Sequence, residues 1–145
     1  MTGAIQVVAA LLWHNGRVLL GQRPAGSPDA GRWEFPGGKR EPDESPEAAL
    51  ARELAEELGI GARVGALLGE THFEPDHARP PIQLEFYAVE ITAGVPEPRH
   101  HQALRWVHPA ELEALDLLPG DRAFARRLAG GGGVAGSADG PIAPG

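Results

Sequence analysis

The 145-residue chain has no cysteine, a single methionine and few aromatics. The missing cysteine excludes a disulfide scaffold, a thiolate metal site and a cysteine nucleophile. Long apolar runs are missing too. The longest, Val7 to Trp13, falls far short of the roughly 20 residues of a transmembrane helix. The opening Met-Thr-Gly-Ala-Ile-Gln lacks the basic flank of a signal peptide, so a cytoplasmic protein without membrane association is expected. Positive charge is also scarce: 13 Lys and Arg stand against 20 Asp and Glu, for a formal charge of −7. A basic footprint for duplex nucleic acid is therefore absent, and no direct nucleic-acid binding is expected. An acidic surface also repels small anions unless a cation intervenes.

Glycine and proline are abundant, at 20 and 14 residues. Part of that excess lies at the end of the chain. Gly130 to Gly145 holds seven glycines and two prolines with little to pack, which predicts a flexible tail, 130–145, after one domain, 1–129. Within the domain, Ile5 to Trp13 reads as a strand. Asn15-Gly16 reads as a hairpin turn, because both residues tolerate positive φ, and Arg17 to Gln22 as the returning strand. Trp33-Glu34-Phe35 reads as a short strand halted by Pro36-Gly37-Gly38. Further strands are predicted over Ala62 to Phe73, Ile82 to Thr92 and Ala103 to Val107. Pro109 to Leu115 and Gly120 to Leu128 look helical. The strongest helix signal is Ser45 to Leu58, with Ser45 as N-cap, Pro46 at the first position and Gly59 as C-cap. Hairpin-linked strands with few helices imply an α+β fold.

That helix carries an unusual charge pattern. Glu53, Glu56 and Glu57 stand at i, i+3 and i+4, so they share a face with β-carbons about 5–6 Å apart. Alone, such a row is compatible with a solvated charged surface. It is also compatible with a hard divalent cation, because Mg²⁺ and Mn²⁺ take carboxylate and water oxygens. Arg52 is placed to clamp one carboxylate.

Neighbouring residues favour the second reading. Gly38, Glu44, Arg52, Glu53, Leu54, Glu56, Glu57, Gly59 and Ile60 match every specified position of G-x5-E-x7-R-E-U-x-E-E-x-G-U, where U is aliphatic. The segment resembles the Nudix box. Arg32 to Lys39, Leu104 to Val107 and Leu118 to Arg122 extend the resemblance to MutT-type members over most of the domain. The resemblance implies an α/β/α sandwich around a mixed sheet. It also implies metal-dependent hydrolysis of a nucleoside diphosphate linked to another moiety. In MutT-type members water attacks the outer (β) phosphorus, giving the monophosphate and pyrophosphate. Glu53, Glu56 and Glu57, with the Gly37 carbonyl, are the implied ligands of Mg²⁺, or of Mn²⁺ in its place. Glu44 and Arg52 order the loop and the ligand shell. Gly37 and Gly38 allow close backbone approach to the phosphates.

Other positions carry expectations outside the acidic helix. Arg23 resembles a phosphate-contacting arginine, and Lys39 is a second phosphate candidate. Both are also readable as surface bases. Relatives place a glutamate, acting as metal ligand or general base, six residues before the last-strand Trp. Here that position is His100. It is readable as the proton acceptor, as a ligand or as a surface residue, with Glu97 as an alternative acid. His100 and His101 are not expected to share one ion, because adjacent strand residues face opposite sides. Asp121 aligns with the base-recognising position and is also readable as an N-cap. Phe73 is the expected stacking platform, and Phe35 is expected to line the pocket. Core packing is expected for Trp33 and Trp106.

These residues imply a nucleoside-triphosphate pyrophosphohydrolase that removes 8-oxo-dGTP from the nucleotide pool and so protects DNA indirectly. Hydrolysis of CTP or a modified dCTP is the alternative on the same chemistry. A catalytically silent nucleotide-binding module is the alternative of another class. A monomer or weak dimer is expected.

Overall fold

The computed structural model describes residues 4–74 and 79–130; the predicted tail from residue 131 onward lies outside them. Seven strands form the sheet: β1 (Ile5–His14), β2 (Arg17–Gln22), β3 (Trp33–Glu34), β4 (Gly37–Lys39), β5 (Gly61–Phe73), β6 (Ile82–Ala93) and β7 (Ala103–Val107). Helix α1 (Pro46–Leu58) separates β4 from β5. A 3-10 helix (Pro109–Ala114) and helix α2 (Pro119–Ala129) follow β7.

The sheet runs β3-β2-β1-β6-β5, with β4 also paired to β1 and β7 to β2. The β1–β6 pair is parallel, and the others are antiparallel. It is therefore mixed, as the resemblance implies. β1 shows why both faces are covered. Its five residues from Val8 to Leu12 are all buried, so it is an apolar run rather than an alternating strand. Val8, Ala10 and Leu12 pack with Ala49, Leu50, Leu54 and Leu58 of α1. Ala9 and Leu11 point the other way, into the cluster of Phe86, Phe124, Ala125 and Leu128 on the α2 side. The period of two thus divides one strand between two cores and produces the α/β/α layering.

Local signals explain the element ends. Asn15 and Gly16 have φ of 53° and 76° and join β1 to β2 through a two-residue turn, with Trp13 opposite Val18 and His14 opposite Arg17. Ser45 Oγ accepts from the Ala48 amide at 3.1 Å, and Pro46 opens the helix, a cap worth about 1 kcal/mol. Gly59 closes it at φ 71°, donating its amide to the Ala55 carbonyl. Trp33 and Trp106 are half-buried against the two cores.

Two readings are corrected and one is refined. β3 ends at Glu34, one residue short of the predicted Trp33-Glu34-Phe35, and the chain re-enters the sheet as β4 through Gly37 and Gly38, paired with Ala9 and Val8. Pro109–Ala114 is a 3-10 helix, capped by the His108 side chain and Glu111. The last helix begins at Pro119, with Leu118 as its N-cap and no side-chain cap bond. Asp121 is therefore inside the first turn, and the N-cap reading for it fails.

Candidate active site

β4 runs beside α1, and the contact explains the two glycines. A β-carbon on Gly38 would collide with the Glu53 carboxylate, and one on Gly37 would collide with the Val8 carbonyl. Gly38 brings the backbone against the helix and Gly37 brings it against β1, where a side chain would hold each off. The acidic residues around this contact fall into two groups.

The first group is neutralised. Arg52 grips Glu44 with two parallel bonds, Nε to Oε2 at 2.7 Å and Nη2 to Oε1 at 2.8 Å. The same guanidinium reaches Glu53 Oε2 at 3.1 Å, Glu56 Oε1 at 3.4 Å and the Lys39 carbonyl at 3.2 Å. The Glu41 amide donates to Glu44 Oε1 at 3.0 Å, closing the loop ahead of α1. Arg52, with the Glu41 amide second, holds the Glu44 carboxyl down at about 2. Fork-to-fork pairing of this kind fixes geometry as well as charge.

The second group, Glu57 with Glu53 at its edge, has less compensation. Glu57 is mostly buried, and its Oε1 has no hydrogen-bond partner. Burial, reinforced by the charges of Glu53 and Glu34, pushes its carboxyl up to about 8. Burial also raises Glu53, against the opposing pull of Arg52. Two adjacent carboxyl groups that cannot both ionise cheaply, one with an orphaned oxygen, are what a divalent cation requires. The donor set therefore fits Mg²⁺ or Mn²⁺, with Glu53, Glu57, the more exposed Glu56 and the Gly37 carbonyl as the residues to hold it.

Further residues converge from other elements. His100 Nε2 lies 3.9 Å from Glu57 Oε2. Burial, with His101 beside it, lowers its pKa and favours the neutral ring. Arg23 Nη1 lies 3.6 Å from Glu34 Oε2, while its Nε donates to the Pro28 carbonyl. The Lys39 side chain is exposed at the end of β4. Asp121 is fully buried and accepts from the Phe35 amide through Oδ2 at 3.0 Å. Burial, then the Glu34 charge, pushes it up to about 8. It therefore carries its proton near neutral pH and can both donate and accept. Phe73 is half-buried at the end of β5, against Gly120 beside Asp121.

On this geometry one expectation fails, and the reason given for another does. Phe35 does not line an open pocket with its ring. It is 3% exposed, edge-on to Phe86 and Phe124, so aromatic packing outweighs exposure there. His100 and His101 do meet. β7 begins only at Ala103, and residues 100–102 form a bend ahead of it, so strand alternation does not separate them. Their rings are 5.0 Å apart, edge to face.

Two residues were not assigned to the site from sequence, Glu34 and His101. The His101 ring is fully buried and pairs with Glu34 Oε2 at 2.8 Å through Nε2. It lies against Gly21 of β2, where a β-carbon would fall 2.5 Å from the ring. A glycine inside an apolar strand was the available signal, since such a position often marks a close approach.

Residues 4–128 match the NUDIX domain family. The chain is 47% identical over 117 residues to the CTP pyrophosphohydrolase of Escherichia coli, covering 81% of this chain and 85% of that protein. It is 43% identical over 133 residues to the putative 8-oxo-dGTP diphosphatase 2 of Mycobacterium tuberculosis, covering 85% and 86%. Among solved structures, the solution structure of the E. coli ORF135 protein superposes with a TM-score of 0.76 at 42% identity, covering 86% of this chain and 88% of that one. With the complete box running from β4 through α1 and the mixed sheet behind it, the chain belongs to the Nudix family of hydrolases, whose members use divalent metal.

Proposed function

We propose that the protein hydrolyses a nucleoside triphosphate to the monophosphate and pyrophosphate, with 8-oxo-dGTP as substrate. The observation that carries the hydrolytic reading is the buried Glu53–Glu57 pair, with Glu57 pushed up to about 8 and one oxygen unpartnered. A divalent cation held by Glu53, Glu56, Glu57 and the Gly37 carbonyl would supply charge neutralisation of the phosphates and acidification of water. Arg23 and Lys39 add positive charge for the phosphate chain. Arg52 keeps the Glu44 loop and the neighbouring carboxylates in register. Neutral His100 accepts the proton of the attacking water at an imidazole nitrogen. The water oxygen bonds to the β phosphorus. The bond from that phosphorus to the bridging oxygen breaks, and the monophosphate leaves with that oxygen.

Asp121 supports the choice of base. With its proton, it both donates to O6 and accepts from N1–H or an exocyclic amine of an oxidised guanine. Phe73 serves as the platform on which the base stacks. The chemistry acts on the nucleotide pool and needs no contact with DNA. CTP or a modified dCTP remains the second reading, favoured by the 47% identity to the E. coli CTP pyrophosphohydrolase.

A panel of triphosphates assayed with Mg²⁺ for pyrophosphate release tests both. A higher kcat/KM for 8-oxo-dGTP than for dGTP, CTP and 5-methyl-dCTP is expected. Preference for the cytidine nucleotides would transfer the assignment to the second reading.

A further inference from the structure

Glu34, His100 and His101 each present a ligating atom, and the three atoms lie within 4.8 Å of one another. None belongs to the box. Glu34 ends β3, while the two histidines sit on the bend ahead of β7. One carboxylate with two imidazoles is a donor set suited to zinc and its first-row neighbours, whereas Mg²⁺ keeps to oxygen. We propose that Glu34, His100 and His101 form a second cation site, beside the box carboxylates, that takes a borderline transition-metal ion such as Zn²⁺.

The site is built rather than incidental. The His101 side chain is fully buried, and the nitrogen it turns to Glu34 is Nε2. Its ring is held against Gly21, and its Nε2 is already paired with Glu34 at 2.8 Å. Glu34 and His101 are thus already side by side, and an ion takes the place of the proton between them. His100 is half-exposed, so it gives access from solvent and is free to adjust. Zinc bonds of 2.0–2.2 Å place neighbouring ligand atoms about 3.3–3.5 Å apart in a tetrahedral site. The exposed His100 ring is the member with freedom to rotate toward this spacing.

Charge around the cluster is consistent with an ion. Glu57 Oε2 lies 3.9 Å from His100 Nε2 and adds negative potential. Arg23 Nη1, 3.6 Å from Glu34 Oε2, is the cation now sharing that oxygen with His101. A metal ion there competes with Arg23 and turns the guanidinium away from Glu34. Metal binding and proton transfer also compete for the ring nitrogen of His100. The site does not depend on which nucleotide is cleaved.

The test is Zn²⁺ binding by the full chain in saturating Mg²⁺, followed by calorimetry and by competition with a chromophoric chelator. One Mg²⁺-resistant Zn²⁺ per chain is expected. His100→Ala and Glu34→Gln should each weaken it at least about tenfold, with Glu56→Gln within twofold of wild type. His100 is half-exposed, so its variant is expected to fold, and circular dichroism checks this. No Mg²⁺-resistant equivalent in the wild type, or unchanged affinity in both His100→Ala and Glu34→Gln, overturns the proposal. Loss of the ion in Glu56→Gln alone overturns it as well, since the ion would then sit in the box.

Discussion

Two sets of carboxylates lie within one short stretch of this molecule and meet opposite fates. Glu44 is held by both arms of the Arg52 fork and by the Glu41 amide, and its carboxyl sits at about 2. Glu57, thirteen residues on and at the other end of α1, has no such partner and sits at about 8. Asp121, across the sheet on α2, behaves like Glu57. The difference is whether the fold supplies a cation. Where Arg52 supplies one, the acid organises a loop. Where none is supplied, the acid is kept at a cost that only a ligand removes, and such sites are enriched in function.

The largest effect should come from the uncompensated set. Glu57→Gln keeps the shape and removes the charge that would face a cation. Loss of several kcal/mol of transition-state stabilisation at 1.36 kcal/mol per tenfold predicts a fall in kcat of about 10³. Pyrophosphate release under saturating Mg²⁺ is the measurement. A rate within tenfold of wild type would erase the functional half of the comparison.

His100 comes next, because it borders the same set without belonging to it. His100→Ala should lower kcat about 10²-fold, the low end for a general base, since water accepts part of the load. KM should change little. An unchanged kcat eliminates His100 as proton acceptor and returns the role to a carboxylate such as Glu97.

The compensated set should show a smaller effect of another kind. Glu44→Gln loosens the Arg52 fork without touching Glu57 or Asp121 directly. Partners that orient ligands typically cost 10–100-fold when removed, so a fall of about 10–100-fold is expected, with a weaker Mg²⁺ dependence. A loss as deep as that of Glu57→Gln would mean the two sets are one functional unit.

Much of this contrast is invisible in sequence. The helix itself was legible, because Ser45, Pro46 and Gly59 act through local bonds that a spacing rule captures. The row of Glu53, Glu56 and Glu57 was legible for the same reason. β4 was not. Gly37-Gly38-Lys39 has no periodicity, and its strand character comes from pairing with β1, which is distant in sequence. The burial of Phe35 depends on Phe86 and Phe124 arriving from two other elements. The same holds for Glu34 and His101, which meet only because β3 and the bend before β7 both pack on β2. Elements and rows set by neighbours in the chain could be read from local rules. Contacts set by the sheet could not.

The smallest expected effect is on stability, and it separates the two sets by pH. Glu57 and Asp121 have folded pKa values near 8, above the ordinary carboxylate range. The folded state therefore holds more protons than the unfolded chain between about 4.5 and 8, and stability falls as pH rises through that window. Glu44 has the reverse sign. Its folded value near 2 lies below the ordinary one, so its contribution is present above about 4.5 and fades as pH falls toward 2. Metal-free protein should therefore show a Tm that declines from pH 5 to pH 9. Glu57→Gln should flatten that decline and raise Tm at pH 9. Glu44→Gln should leave the decline intact and lower Tm near neutral pH. Mg²⁺ should oppose the decline, because an ion bound to the folded state favours the ionised carboxylates. Thermal melts in chelator and in Mg²⁺ across this range check all four signs. A Tm that rises from pH 5 to pH 9 without metal would show that Glu57 and Asp121 are compensated after all, and the contrast with Glu44 would then be one of position alone.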